Sequence, residues 1–377
     1  MASCDQPGLM DLDEALALLA ASIPTPAWEH LRADRNDPAL DMAAMDGAAM
    51  RSADGVSPRT VLGSLFAGDD PSAFHLEPGE AVRIMTGAAM PKGADCVVPV
   101  ERLREVIHGL VPSDAPAPGA NIRKLGSHAH TGDLLLQEGL PLTAARVGLR
   151  AWTGVSVPPP KRIRVGIAST GDELSGDPSP WQIRDSNGPM LAALAHNLGA
   201  WALRLPPLPD VKGALHERVM DLTGLSVLVT SGGVSMGERD LLPTTLKELG
   251  AKILFHKLRL KPGKPMLAAL LEKTIILGLP GNPQGAYLNA RIFLPVVLAR
   301  LEGTKVPELW RRGELEEAVP NKSDRPLLHP CTLSEGRLRP LPSKSSGDLA
   351  ALARADVCAW IPEGGAQPGP VRYLDLP

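Results

Sequence analysis

Ile163-Arg164-Val165-Gly166-Ile167-Ala168 runs straight into Ser169-Thr170-Gly171-Asp172-Glu173. An apolar run of strand length that opens onto a polar, glycine-containing turn predicts a buried strand with a loop at its carboxyl end. Downstream, the pattern repeats. Pro189 to Leu198 predicts an amphipathic helix and Trp201 to Leu205 a second strand. Asp210 is placed to cap a helix reaching Leu222, and Leu225 to Thr230 predicts a third strand. Leu241 to Leu249 predicts a helix closed by Gly250. Lys252 to Leu260 and Met266 to Leu271 predict paired strands, Thr274 to Leu279 a further strand, and Gly285 to Leu301 a helix. Strands alternating with helices imply a mostly parallel sheet with helices on both faces.

On the amino-terminal side the pattern changes. Leu134 to Gly154 reads as helical, and Pro158-Pro159-Pro160 as a stiff linker. From Asp41 to Arg123, short apolar runs (Ala81 to Met85, Cys96 to Val100, Val106 to Val111) alternate with Gly, Pro and Asp turns, which predicts a β-rich domain. Leu9 to Ala21 predicts a helix with Asp11 at its start, and short strands return after Gly303. The expected class is therefore α/β plus β, in several domains. These are an α/β domain over 161–303, a β-rich domain over 41–123, a discontinuous helical linker domain over 1–40 and 124–160, and a small β domain over 304–377.

Composition narrows the function. Of 377 residues, 37 are Gly and 38 Pro, well above the roughly 12% of an ordinary chain. With 44% apolar residues the excess implies many tight turns in a folded protein, not disorder. Only 12 aromatics (Trp 6, Tyr 2, Phe 4) argue against a protein that stacks successive bases. Lys plus Arg number 39 against 42 Asp plus Glu, so a nucleic-acid partner is not expected. Cys4, Cys96, Cys331 and Cys358 form no metal or disulfide pattern, which suits a reducing compartment. Met1 to Glu14 lacks a basic leader pattern and no apolar run approaches about 18 residues. A cytoplasmic protein with no membrane segment is the expectation.

Ligands of open α/β sheets bind outside the carboxyl ends of the strands. Three loops leave that edge: Ser169 to Glu173, Ser231 to Asp240, and Leu279 to Pro283. A fourth segment, Arg184 to Pro189, opens a helix. Glycines there let backbone N–H groups approach an anion. Glu173, Asp185 and Asp240 add carboxylates, which beside a phosphate suit a hard cation such as Mg²⁺. Lys257, Lys261 and Lys264, around Lys261-Pro262-Gly263-Lys264-Pro265, suit phosphate or another oxyanion. Taken singly, each motif has a plain structural reading: a helix cap at Asp185 to Asn187 or at Asp210, a tight turn at Thr170-Gly171-Asp172, a flexible Ser231-Gly232-Gly233, a solvated hairpin edge for the lysines. The convergence of several loops on one edge favours a site. No GxxxxGK[ST] and no GxGxxG after a strand are present. His128-Ala129-His130 offers two histidines, too few for a metal site by themselves.

In order and spacing, STGDEL (Ser169 to Leu174), DSNGPML (Asp185 to Leu191), SGGVSMGERD (Ser231 to Asp240), KPGKP (Lys261 to Pro265) and GLPGNP (Gly278 to Pro283) resemble the molybdopterin molybdenumtransferases. These are the MoeA proteins, similar to the E domain of gephyrin. AMDG (Ala44 to Gly47), RIMTGAAMPKGAD (Arg83 to Asp95) and GANIRKLGS (Gly119 to Ser127) extend the likeness upstream. The resemblance implies four domains per subunit and a homodimer with its cleft between subunits. It also implies a reaction, insertion of molybdate into adenylylated molybdopterin with release of AMP. Implied partners are a molybdopterin adenylyltransferase and molybdoenzymes. Carried over by motif, Asp46, Thr86, Arg123, Glu173, Asp210, Asp240, Lys257 and Lys261 match functional positions, with Glu173 and Asp240 toward Mg²⁺. Ser169, Thr170, Gly171, Asp185, Asn187, Ser231, Gly232, Gly233, Ser235, Lys264, Pro280, Gly281 and Asn282 are the expected binding contacts.

The chain departs from the family pattern in places. Gly126-Ser127-His128 stands where Gly-Glu-Asp is usual, so His128 takes the place of a carboxylate. Met45-Asp46-Gly47-Ala48-Ala49 lacks the usual Tyr, Gly281-Asn282-Pro283-Gln284-Gly285 replaces GNPVS, and an expected Arg near Pro330 is missing. Two readings stand at this point: a working insertase, or a paralogue that binds molybdopterin or molybdate, or acts as a scaffold, without turnover.

Overall fold

The computed structural model describes residues 8–25, 29–107, 109–140, 143–155, 163–171, 173–208, 212–234 and 241–376. The chain divides into two compact units. One comprises Met1–Trp28, Gly139–Pro141 and Pro158–Pro377, and the other Glu29–Glu138 and Leu142–Val157.

The first unit is organised by a six-stranded sheet. Its strands are β1 (Arg164–Ser169), β2 (Trp201–Arg204), β3 (Val227–Ser231), β4 (Lys252–His256), β5 (Leu267–Leu271) and β6 (Thr274–Leu279), in the order β2-β1-β3-β6-β5-β4. The four strands β2, β1, β3 and β6 are parallel, with Val165 opposite Val227 and Val227 opposite Ile275. Strand β5 runs antiparallel to β6 and to β4, so the paired run foreseen at the lysine-rich hairpin is present. Helices are α1 (Leu12–Ser22), α2 (Asn187–Asn197), α3 (Lys212–Asp221), α4 (Leu242–Glu248) and α5 (Pro283–Glu302).

Side chains alternate across a strand, and here both sides are covered. Val165, Ile167, Val227, Val229, Ile275 and Leu277 share one core with Leu19 of α1, Leu194 of α2 and Phe293 of α5. Ala168, Leu228 and Ile276 face the other way, onto Leu215 and Val219 of α3 and Leu242 and Leu246 of α4. Each fully buried large aliphatic contributes roughly 1.5–3 kcal/mol. Two-sided burial is why the strands read as continuous apolar runs. Helix α5 is fixed at both ends: Asn282 Oδ1 accepts from Gly285 N at 2.7 Å, and Gly303 closes it at φ 68°. Asp11 takes the N-cap position of α1, but its side chain makes no cap bond there. The helix foreseen from Asp210 begins at Lys212, and Asp210 itself lies outside the described residues.

Residues beyond α5 form a closed five-stranded barrel, in keeping with the β-type region expected there. Leu328, Cys358 and Leu374 of the barrel join the core under α5.

The second unit holds a four-stranded sheet in the order Thr60–Leu65, Glu80–Ile84, Gly47–Met50, Cys96–Pro99. Two sequence expectations are corrected in it. Val106 to Val111 is not one strand: Val106 ends Leu103–Val106, and Gly109 to Val111 belong to its antiparallel partner Gly109–Pro112. Gly109 has φ 151°, and a Cβ there would lie 1.7 Å from the Arg59 carbonyl oxygen, so the backbone passes at a distance only glycine permits. Leu134 to Gly154 is not helical throughout: Leu134–Leu136 pairs as a strand with Leu31–Arg32, and the helix spans Ala144–Trp152. Pro158 to Pro160 lie outside the described residues. Among the described residues no helix is long and apolar enough to cross a membrane.

Candidate functional site

Because β1, β3 and β6 are parallel, their following loops emerge at one edge of the sheet. They line a cleft of ≈ 610 Å³ together with the segment 181–187. Its floor is backbone. Thr170 N donates to Ser231 O at 2.9 Å, and Gly232 N donates to Leu279 O at 3.0 Å, so the three loops are stitched past the strand ends. Gly232 has φ 94°, and a Cβ there would sit 2.5 Å from Thr170 Oγ1. Gly171, at φ 138°, lies beneath the Glu173 carboxylate, whose oxygens would be 2.5 Å from an added Cβ. The close approach that glycine permits is thus spent on the protein's own neighbours as well as on the cleft surface.

Two side chains tie the loops to the start of α2. Asp185 accepts from Ser169 Oγ at 2.9 Å and from Gly188 N at 2.8 Å, with Arg204 at 3.4 Å. Asn187 donates through Nδ2 to Ser231 Oγ at 2.7 Å and to the Gly281 carbonyl at 2.8 Å. Ser231 Oγ in turn donates to Pro280 O at 3.2 Å. Among the described residues the buried Oδ1 of Asn187 has no hydrogen-bond partner.

Lys261 and Lys264 lie elsewhere. They line a second cleft of ≈ 590 Å³ with Arg325, His329, Lys344 and three serines, Ser343, Ser345 and Ser346. The two clefts share the loop after β6: Gly281 and Pro283 line the first, Asn282 the second. Burial pushes the His329 imidazole below its usual pKa, partly opposed by a hydrogen bond to the Leu341 backbone. Lys257 lines neither cleft. It follows β4 at φ 83°, its N–H donating to Met266 O at 2.7 Å.

In the second unit Asp46 and Thr86 are in contact. Asp46 Oδ1 accepts from Thr86 N at 2.7 Å and Thr86 Oγ1 at 2.6 Å. These bonds, the hydroxyl's first, hold the exposed Asp46 carboxyl below its ordinary pKa. Arg123 is exposed on a short strand opposite Met42. His128 Nδ1 lies 2.8 Å from Asp37 Oδ2, whereas His130 packs beneath Gly126, so the two rings serve separate contacts.

Ser235, Asp210 and Asp240 lie outside the described residues. Among those described, no group of three or more His, Cys, Asp or Glu is arranged to hold a metal. Mg²⁺ is commonly held by one or two carboxylates completed by water and substrate phosphate. The exposed Glu173 carboxylate fits that mode and no closed protein cage. Sequence reading missed Trp181, Arg325 and His329, which stand outside the glycine-rich motifs and carry no spacing that marks them.

The fold and these clefts define a multidomain α/β protein with polar, glycine-lined clefts at the carboxyl edge of its sheet and a small carboxyl-terminal barrel. Family models match it in three parts: the MoeA N-terminal region (domains I and II) at residues 10–154, a probable molybdopterin binding domain at 166–299, and the MoeA C-terminal region (domain IV) at 312–370. The molybdopterin molybdenumtransferase of Haemophilus influenzae is 35% identical over 278 residues, 72% of this chain and 68% of that one. That of Synechococcus elongatus is 32% identical over 350 residues, covering 87% and 85%. A crystal structure titled molybdopterin biosynthesis MoeA protein from Pyrococcus horikoshii superposes with a TM-score of 0.78 at 26% identity, covering 98% of this chain and 99% of that one. The chain belongs to the molybdopterin molybdenumtransferase family, a family of transferases.

Proposed function

We propose that this chain inserts molybdate into adenylylated molybdopterin and releases AMP, completing a molybdenum cofactor. The observation that carries the reading is the pair of polar clefts sharing one loop, Leu279 to Pro283. One is floored by stitched glycine loops suited to a phosphorylated ligand. The other is lined by Lys261, Lys264, Arg325 and Lys344, suited to a tetrahedral oxyanion.

In this reading Ser169, Thr170, Gly171, Ser231, Gly232, Gly233 and Ser235 hold the phosphates, and Asp185 and Asn187 keep the loops in register. Glu173 and Asp240 hold Mg²⁺, which supplies charge to polarise the phosphate linkage. Lys261 and Lys264 bind the oxyanion, with Pro280, Gly281 and Asn282 forming the wall between the clefts. Lys257 and Asp210 complete the charge around the site, and Asp46, Thr86 and Arg123 bring further polar groups from a partner subunit of a homodimer. We place the protein in the cytoplasm, taking its substrate from a molybdopterin adenylyltransferase and passing its product to molybdoenzymes.

The test is direct. Purified protein given adenylylated molybdopterin, Mg²⁺ and molybdate should release AMP in a molybdate-dependent way. Substrate binding with no AMP release would support the second reading, a binding paralogue or scaffold. That reading draws on His128, which occupies a usual carboxylate position and here pairs with Asp37.

A further inference from the structure

The first cleft is polar over its floor but apolar at one part of its rim. Trp181 is 80% exposed and Ile183 57% exposed, and both line it. Trp181 stands on a built loop. Ile183 N donates to Glu173 O at 2.8 Å and Ser175 N donates to Ile183 O at 2.9 Å, closing a parallel bridge between Leu174 and Ile183. Gln182 N donates to Ser179 O at 2.9 Å, and Gln182 Oε1 accepts from Ser179 N at 3.2 Å. A hydrogen-bonded loop thus carries the indole on the cleft rim and leaves it exposed to water, although an aromatic ring is stabilised by leaving water.

Of the other described tryptophans in this unit, Trp201 on β2 is 55% exposed with the Arg164 guanidinium 6.0 Å from its ring, and lines neither cleft. Trp310 and Trp360 meet edge-on at 5.4 Å and both lie against the Arg372 guanidinium. An indole face held open beside phosphate-type loops matches one ligand chemistry: a planar fused nitrogen heterocycle that carries a phosphate. We infer that Trp181 is a stacking residue, covering the heterocycle of the phosphorylated ligand while the glycine loops hold its phosphate. The inference rests on the function proposed above and adds a specificity determinant to it. The ring has two possible sources in the adenylylated substrate, the adenine and the pterin.

Calorimetric titration of the full-length protein with AMP, neopterin monophosphate and ribose 5-phosphate separates them. Trp181→Ala should weaken binding of at least one ring-bearing ligand about tenfold, within the range that a stacked base contributes. Ribose 5-phosphate, which has no ring, should bind Trp181→Ala as it binds the wild type, and Trp181→Phe should keep most of the affinity. The affected ligand identifies the ring. Unchanged binding of both ring-bearing ligands by Trp181→Ala overturns the stacking role and leaves the proposed function standing. An equal loss for ribose 5-phosphate also overturns it, because the loop and not the ring would then be responsible. Wild-type protein that binds none of the three overturns the cleft assignment and the stacking role together.

Discussion

Asn187 is the residue on which the first cleft turns. Its Nδ2 bridges the loop after β3 and the loop after β6 through two hydrogen bonds, at 2.7 and 2.8 Å. Asn187→Ala removes both, at a cost of about 1–2 kcal/mol, while Ser231 Oγ keeps its bond to the Pro280 carbonyl. Asn187→Asp keeps the shape but turns a donor into an acceptor facing the Gly281 carbonyl, so it should destabilise at least as much. Urea unfolding midpoints at fixed m-value check both. Gly232 gives a steric counterpart. With φ 94° and only 2.5 Å to Thr170 Oγ1, Gly232→Ala must shift Thr170, and a loss of roughly 1–3 kcal/mol is expected. His329 sets a pH dependence. Burial lowers its folded-state pKa from 6.5, so on acidification the unfolded chain takes up this proton first. Its contribution is present above the unfolded value and is lost as pH falls from there through the folded value. His329→Gln should therefore unfold with a shallower loss of stability as pH falls below 6.5, read by denaturant melts at successive pH values. Gly232 and Asn187 were legible in the sequence because their motifs, a glycine-rich loop and a helix opening, name a backbone need. Trp181 and His329 were not, since a rim position and a burial depth have no spacing of their own.

At the scale of elements, legibility follows burial. β1, β3 and β6 are covered on both faces, so each reads as an unbroken apolar run and its boundaries follow from where that run meets a polar loop. The sheet edge where ligands gather was legible for the same reason, because parallel strands send their loops to one side. The second unit was harder. Gly109 turns the chain beside Arg59, a contact far away in sequence, and the apolar run around it carries no trace of that neighbour. The Leu134–Leu136 strand is decided by pairing with Leu31–Arg32, again a distant partner. Helix α5 offers the test at this scale. Asn282 caps it through the Gly285 N–H, Pro283 is preorganised for the first turn, and the loop walls both clefts. Asn282→Ala should cost about 1 kcal/mol of stability, whereas Asn282→Ser should recover most of it by capping again. A thermal melt reads the stability. Oxyanion binding in the second cleft, titrated with molybdate alone, should weaken in the Ala variant more than in the Ser variant if the cap also holds the wall in place.

For the whole molecule, the proposed site draws on polar groups that belong to different compact units. The Asp46–Thr86 pair belongs to one compact unit and Glu173 to the other. Family resemblance implies a homodimer whose cleft lies between subunits, and that arrangement makes a quantitative prediction. Asp46→Ala and Glu173→Ala should each lower molybdate-dependent AMP release strongly when present in every chain. In a mixed dimer carrying one variant per chain, a site drawing Asp46 from one subunit and Glu173 from the other has two outcomes: one site loses both groups, and its mate keeps both. Co-expression with random pairing yields mixed dimers as half the population, each with one intact site, so about a quarter of wild-type activity should return. Sites contained within single chains would return none, because every chain then carries a defect. Separating the mixed dimers by two affinity tags raises the expected figure to about half and removes any dependence on the pairing ratio. The same preparation, measured by sedimentation, must show a dimer. Activity restored without one would contradict a site shared between subunits.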